Sequence, residues 1–250
     1  MITAASNSRI KRLVQLNQKS KLRRTEDVFL AEGVKMFLEA PREQLQEVYV
    51  SESFLEKCSC REHLEEVGYE VVSDSVFSKI SDTCTPQGVL CVLKQFHYNI
   101  EEMLRDKAPL FLLLENIQDP GNLGTMLRTG EGAGVSGIIM SRDTVDLYNP
   151  KVIRSTMGSI YRVPFYYADD FAAAVHQVQQ AGVSVYAAHL RGKNSYACQD
   201  YTKGTAFLIG NEGNGLREET AELADCYIRI PMEGKVESLN AAVASSILMY

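Results

Sequence analysis

Apolar and polar positions along the chain fall into two alternating patterns. Near the start, Ile10, Leu13, Val14 and Leu16 recur close to a 3.6-residue period behind Ser6 and Asn7, which predicts a capped first helix. Short apolar runs then trade places with helical ones. VFLAEG reads as a strand leading into helical VKMFLEA, which stops at Pro41. EVYVS leads into helical ESFLEKC and REHLEEVG, YEVVS leads into DSVFSKIS, and GVLCVLK closes the series. This is a compact α/β unit over residues 1–95. The polar stretch QFHYNIEEMLRDKAP reads as a connector over 96–108.

A second unit, 109–250, opens with PLFLLLEN, uniformly apolar like a strand buried on both faces of a parallel sheet. Helical NLGTMLRTGEGAG, strand SGIIMS and helical PKVIRSTMGSI follow, with Pro150 suited to a first helical turn. Next come strand VPFYY, helix DDFAAAVHQVQQAG and strands VSVYAAHL, TAFLIG and CYIRI. A last helix is expected from Ser238 to the final residue, which implies a trimmed or partly covered C-terminus. The fold class is therefore α/β, in two domains.

The 250 residues are 45% hydrophobic and 23% charged, ordinary for a soluble globular protein. No apolar run approaches the ~20 residues of a membrane-spanning helix. The opening MITAASNSRIKRLVQL has no apolar core followed by a cleavage site, so no secretory signal is expected. Cys58, Cys60, Cys84, Cys91, Cys198 and Cys226 are scattered, which fits free thiols in the cytoplasm. Cys58 and Cys60 are too close for a zinc pair of the usual spacing, and no metal site is expected.

Net charge is −6, but it is unevenly spread. Residues 1–24 carry Arg9, Lys11, Arg12, Lys19, Lys21, Arg23 and Arg24 with no acid, leaving the remainder at −13. Charge alone leaves two readings open: an arm that meets phosphates, or a solvated helix face.

Three loops of the second unit follow predicted strands, on the edge where open α/β sheets bind ligands. In ENIQDPGNLGTMLRTG, Asp119-Pro120-Gly121 forms a turn, Asn122 can cap the next helix, and Arg128 lies less than two turns further on. In FLIGNEGNGL, Gly210, Gly213 and Gly215 leave backbone groups open to a ligand, and Glu212 stands between glycines. In IRIPMEGKVESLN, Pro231 between Ile230 and Met232 suits a flat ring such as adenine better than a phosphate. Ser238 and Asn240 add a hydroxyl and an amide at a helix start. Each loop also has a plain reading as a tight turn or a cap. GAGVSG matches the dinucleotide glycine pattern but lies between a helix and a strand, the reverse of the required order. His189, at the end of a strand on the same edge, reads as a loop histidine.

Together, in order and spacing, these loops resemble the motifs of the SpoU (TrmH-like) RNA 2′-O-ribose methyltransferases of the SPOUT class. The motifs are Asn122 through Arg128, then Gly210-Asn211-Glu212-Gly213, then Ile230-Pro231-Met232 with Ser238-Leu239-Asn240. The first unit resembles the L30e-like RNA-binding domain that precedes many such enzymes. The resemblance implies a parallel sheet with a trefoil knot, a homodimer, and S-adenosylmethionine as methyl donor. It places Gly210, Ile230, Leu239, Met232 and Ala188 at the donor, and Asn122, Arg128, Glu212, Ser238 and Asn240 around a ribose 2′-hydroxyl. RNA binding falls to the first domain and its basic segment. Arginine is a poor general base at neutral pH, so Arg128 is expected to clamp a flanking phosphate, and Glu212 to accept a proton or to hold Arg128. Ribosomal RNA is the expected substrate. The alternatives are transfer RNA, or a non-catalytic RNA-binding or assembly factor of the same fold.

Overall fold

The computed structural model describes residues 1–105 and 107–250. Its chain forms two compact units, Met1–Phe96 with Asp146–Tyr161, and His97–Val145 with Arg162–Tyr250.

In the first unit, α1 (Ser8–Gln18) and α2 (Ser20–Glu26) precede β1 (Val28–Glu32) and α3 (Val34–Leu38). Then come β2 (Leu45–Ser51), α4 (Glu52–Lys57), α5 (Arg61–Val67), β3 (Glu70–Val72), α6 (Asp74–Ile80) and β4 (Val89–Lys94). Asn7 caps α1 by accepting from the Arg9 amide at 2.9 Å. The helical period then puts Ile10, Leu13 and Leu16 on one buried stripe. That stripe packs with Val76, Phe77 and Ile80 of α6 against Leu30, Tyr49 and Leu90 of a four-stranded sheet ordered β1-β4-β2-β3. Only β2 and β3 run parallel.

The second unit holds α7 (Ile100–Met103), β5 (Leu110–Leu114), α8 (Pro120–Ala133) and β6 (Gly137–Ser141). Past α9 (Pro150–Thr156), it continues through β7 (Phe165–Ala168), α10 (Phe171–Gln180), β8 (Ser184–Ala188), β9 (Asn194–Ser195) and β10 (Thr205–Ile209). It ends with α11 (Glu218–Ala221), β11 (Cys226–Arg229) and α12 (Ala241–Met249). Seven strands form one wholly parallel sheet, β7-β6-β5-β10-β8-β11-β9. Phe111 through Leu114 are buried, as the uniformly apolar run required.

Several sequence expectations need correction. The connector 96–108, which includes Asp106 outside the described residues, contains helix α7, whose Ile100 and Met103 join the core of the second unit. The stretch Asp146–Tyr161, assigned by sequence to the second domain, packs with the first unit. Its bonds explain this. The Tyr148 ring lies 4.8 Å from that of Phe29, and the Tyr161 hydroxyl donates to the Met36 carbonyl at 3.0 Å. The cap of α8 is Asp119, with Pro120 in the first turn, so Asn122 sits inside the helix. The cap of α12 is Asn240, so Ser238 is an exposed loop residue and the helix starts at Ala241. Helix α8 ends at Gly134 in a left-handed cap ahead of β6, the order that set the GAGVSG pattern aside.

Candidate active site

Parallel strands deliver their following loops to one edge. Here the loops after β5, β10 and β11 meet within the second unit. The loop after β10 is a closed hairpin: Asn211 and Gly215 exchange backbone hydrogen bonds at 3.0 and 2.9 Å. The Asn211 side chain accepts from the Gly213 and Asn214 amides, each at 3.0 Å, and donates to the Asn116 carbonyl at 2.8 Å. A Cβ on Gly210 would lie 2.2 Å from the Gly215 carbonyl carbon and the Leu216 nitrogen. Glycine is therefore required there for the chain to pass itself, whatever the ligand. Behind the loop, the buried Glu115 carboxylate accepts from the Arg217 amide at 2.8 Å and the Thr220 hydroxyl at 2.5 Å. The Arg217 guanidinium also pairs with Asp143.

Glu212 reaches from this loop to the first one. It accepts from the Asp119 amide at 3.0 Å, the Gln118 amide at 3.1 Å and Asn122 Nδ2 at 3.0 Å. Asn240 Nδ2 in turn donates to Asn122 Oδ1 at 3.0 Å, while Asn240 Oδ1 caps α12 by accepting from Ala242 and Val243. One relay, Asn240 to Asn122 to Glu212, ties all three loops together. Partial burial pushes the Glu212 carboxyl upward. The bonds from Asn122, Asp119 and Gln118 outweigh that and hold it below the usual carboxylate range. Glu212 is therefore ionised near neutral pH with its acceptor positions largely taken.

Beside the relay is a cleft of about 280 Å³. Its walls include Ala188, Ile209, Gly210, Ile228, Ile230, Met232 and Leu239, with Glu212, Ser238, Glu237 and Arg229 at its polar margin. Apolar walls fit a flat purine ring. Two carboxylates against one guanidinium favour a cationic ligand over a phosphorylated one, and a sulfonium nucleoside meets both conditions.

The structure thus gathers nine of the sequence's ten donor and ribose residues or ties them to the cleft, and leaves one apart. Arg128 lies exposed on α8, is not among the cleft-lining residues, and makes no hydrogen bond or ion pair among the described residues. Glu212 consequently does not hold Arg128 within this chain. Sequence reasoning missed Glu115, Asn116 and Gln118, and named Asn211 within its motif without a role. Of these only Asn211 carried a signal, as an Asx residue ahead of glycines.

The basic segment also needs correction. Arg23 is 3% exposed: its guanidinium donates to the Leu16 and Asn17 carbonyls at 2.6 and 3.2 Å and pairs with Asp146 at 2.5 Å. It is a buried tie, not a phosphate contact. Arg9 pairs with Glu70, and Arg12 with Glu26 and Glu47. Lys11, Lys19, Lys21 and Arg24 remain exposed. Residues 1–24 themselves hold no acid; the neutralising carboxylates are Glu26, at the end of α2, and Glu47, Glu70 and Asp146 from farther along the chain.

The model of the SpoU rRNA Methylase family matches residues 109–250, more than half the chain. The chain belongs to the SpoU family. Its N-terminal part, 7–91, matches the MRM3-like substrate binding domain. This SpoU protein is 32% identical over 252 residues to the 23S rRNA (guanosine(2553)-2′-O)-methyltransferase RlmP of Bacillus subtilis, covering 100% of this chain and 97% of that one. It is 32% identical over 216 residues to the 23S rRNA (guanosine-2′-O-)-methyltransferase RlmB of Bordetella pertussis, covering 83% and 88%. A crystal structure of an AdoMet-bound rRNA methyltransferase from Sinorhizobium meliloti superposes with TM-score 0.85 at 31% identity, covering 99% and 95%. This SpoU chain is accordingly an S-adenosylmethionine-dependent RNA 2′-O-methyltransferase. Among the described residues, no helix is long and apolar enough to cross a membrane.

Proposed function

We propose that this SpoU enzyme methylates a ribose 2′-hydroxyl of ribosomal RNA, in the cytoplasm and as a homodimer. The observation that carries the reading is the Asn240–Asn122–Glu212 relay, which joins all three family motifs beside an apolar, carboxylate-edged cleft. The names of its rRNA-modifying relatives support the substrate. Exposed Leu190, Val236 and Val243 in or near the third loop and α12 support a second copy packing there. The trefoil threading implied by the family is part of this reading.

S-adenosylmethionine supplies an electrophilic methyl group when bound. Ala188, Gly210, Ile230, Met232 and Leu239 hold it, largely through backbone and apolar contact. Asn122 and Asn240 present amide groups to the ribose, and Ser238 a hydroxyl. Glu212, ionised and already bonded to the first loop, keeps those amides in place and is not the proton acceptor. Arg128, free on α8, orients the phosphate beside the target ribose and offsets charge developing on its oxygen. Lys11, Lys19, Lys21 and Arg24 contact RNA phosphates from the first unit. Mapping ribose methylation across total RNA with and without the gene tests the reading. One ribosomal 2′-O-methyl mark should vanish with the gene and return with the wild-type copy but not with Arg128→Ala. An unchanged ribosomal map refutes it.

A further inference from the structure

His189 follows β8 and lines the cleft, but no motif includes it. The turn that carries it is fixed. The His189 amide donates to the Ile228 carbonyl at 3.0 Å, continuing the β8–β11 pairing, and its carbonyl accepts from Gly192 at 2.9 Å. A Cβ on Gly192 would lie 2.8 Å from the Ile228 carbonyl carbon, so the turn admits only glycine there. The imidazole is held from two sides. Its Nδ1 accepts from the Arg191 amide at 3.1 Å, and its ring lies 5.0 Å from that of Tyr227. An Nδ1 that accepts from an N–H carries no proton, so the neutral ring has its hydrogen on Nε2. Nε2 has no partner among the described residues.

Strand order says which end of the ligand meets that donor. Across the sheet the strands run β5, β10, β8, β11. Glu212 and Asn122 follow β10 and β5, whereas His189 follows β8 and its amide continues the pairing with β11. With the ribose held beside Asn122 as in the function proposed above, the transferable methyl would face the β5–β10 side and the nucleoside the β8–β11 side.

We propose that His189 is a binding residue for the adenosyl portion of the methyl donor, giving its Nε2–H to an acceptor on that nucleoside. The inference rests on the function proposed above. It makes donor binding dependent on a neutral ring. Protonation would set an Nδ1–H against the Arg191 N–H and unseat the imidazole. Burial and the Arg191 charge both hold the His189 pKa below the ordinary histidine value, with Glu218 opposing them. Arg191 is paired to Glu218, Tyr227 lies beside the ring, and Arg229, Glu237 and Glu212 share the cleft wall. The neutral form is favoured by the fold. Its contribution is therefore present above the free histidine value of about 6.5 and is lost as pH falls through the lower folded value.

The test is calorimetric titration of the full chain with S-adenosylmethionine, S-adenosylhomocysteine and 5′-methylthioadenosine, which lacks the amino-acid end. His189→Ala should weaken all three by about tenfold, the value of one buried hydrogen bond. His189→Gln, which keeps an N–H donor, should recover most of the affinity. Wild-type affinity should fall between pH 7 and 5, and that of His189→Gln should stay level. Binding by His189→Ala within twofold of wild type for all three ligands overturns the assignment while leaving the family function intact. So does an acid-side loss that His189→Gln fails to remove. A wild-type chain that binds none of the three refutes the donor site itself.

Discussion

Glu212→Gln separates anchoring from proton transfer. The wild-type carboxylate accepts from Asp119, Gln118 and Asn122 at 3.0–3.1 Å. A glutamine oxygen in the Oε1 place keeps the bonds from Asp119 and Asn122 but without their charge assistance, while the Gln118 bond to Oε2 is lost and the new NH2 faces that amide. Hydrogen bonds to a charged group contribute about 1.5–3 kcal/mol each. This carboxylate is open to solvent on one side, so screening reduces the combined loss to about 2 kcal/mol. That corresponds to about a 30-fold fall in turnover. Single-turnover methylation with radiolabelled donor, from pH 6 to 9, measures it. The fall should be uniform across that range. Asn122→Ala should add little to Glu212→Gln, because both break one relay. A drop of about a thousandfold or more that also removes the rising limb of the pH profile would make Glu212 the base and refute the anchoring argument.

The same carboxyl predicts an acid limit. Its folded pKa is lowered, so its contribution is present above the free carboxyl value of about 4.3 and lost as pH falls through the folded value; thermal midpoints of wild type and Glu212→Gln should converge below that. Arg23→Ala should destabilise the first unit by about 3–5 kcal/mol, since it strands Asp146 and two carbonyls, and a denaturant midpoint reads this. Joint neutralisation of Lys19, Lys21 and Arg24 should leave that midpoint nearly unchanged and flatten the salt dependence of RNA binding, while an unchanged slope would exclude this face as the phosphate footprint. Gly210→Ala should cost more than about 3 kcal/mol or prevent folding, because its Cβ meets backbone at 2.2 Å; a folded variant with normal melting would contradict the close crossing.

Local signals settled much of the chain. Apolar runs such as Phe111–Leu114 predict strands buried on both faces, and the Ile10-Leu13-Leu16 spacing predicts a helix with one buried stripe. These follow from residue type and period alone, so they are written locally. The three glycine-bearing loops were also legible, because tight turns need particular residues at fixed places. What the loops do to one another was not. Glu212 and Asn122 are 90 residues apart, and Asn122 and Asn240 are 118 apart. The sheet order, which sets β10 beside β5, brings the first pair within bonding distance, and the packing of α12 on α8 brings the second. Charge shows the same division. Seven basic residues with no acid among residues 1–24 look like a free cationic arm, yet Glu26 just beyond them, and Glu70, Glu47 and Asp146 from far along the chain, neutralise Arg9, Arg12 and Arg23. The sequence by itself determined the elements, the turns and the chemistry available. The tertiary structure decided which charges stay free and which amides meet, because pairing depends on distance in space and the local pattern carries no such distance.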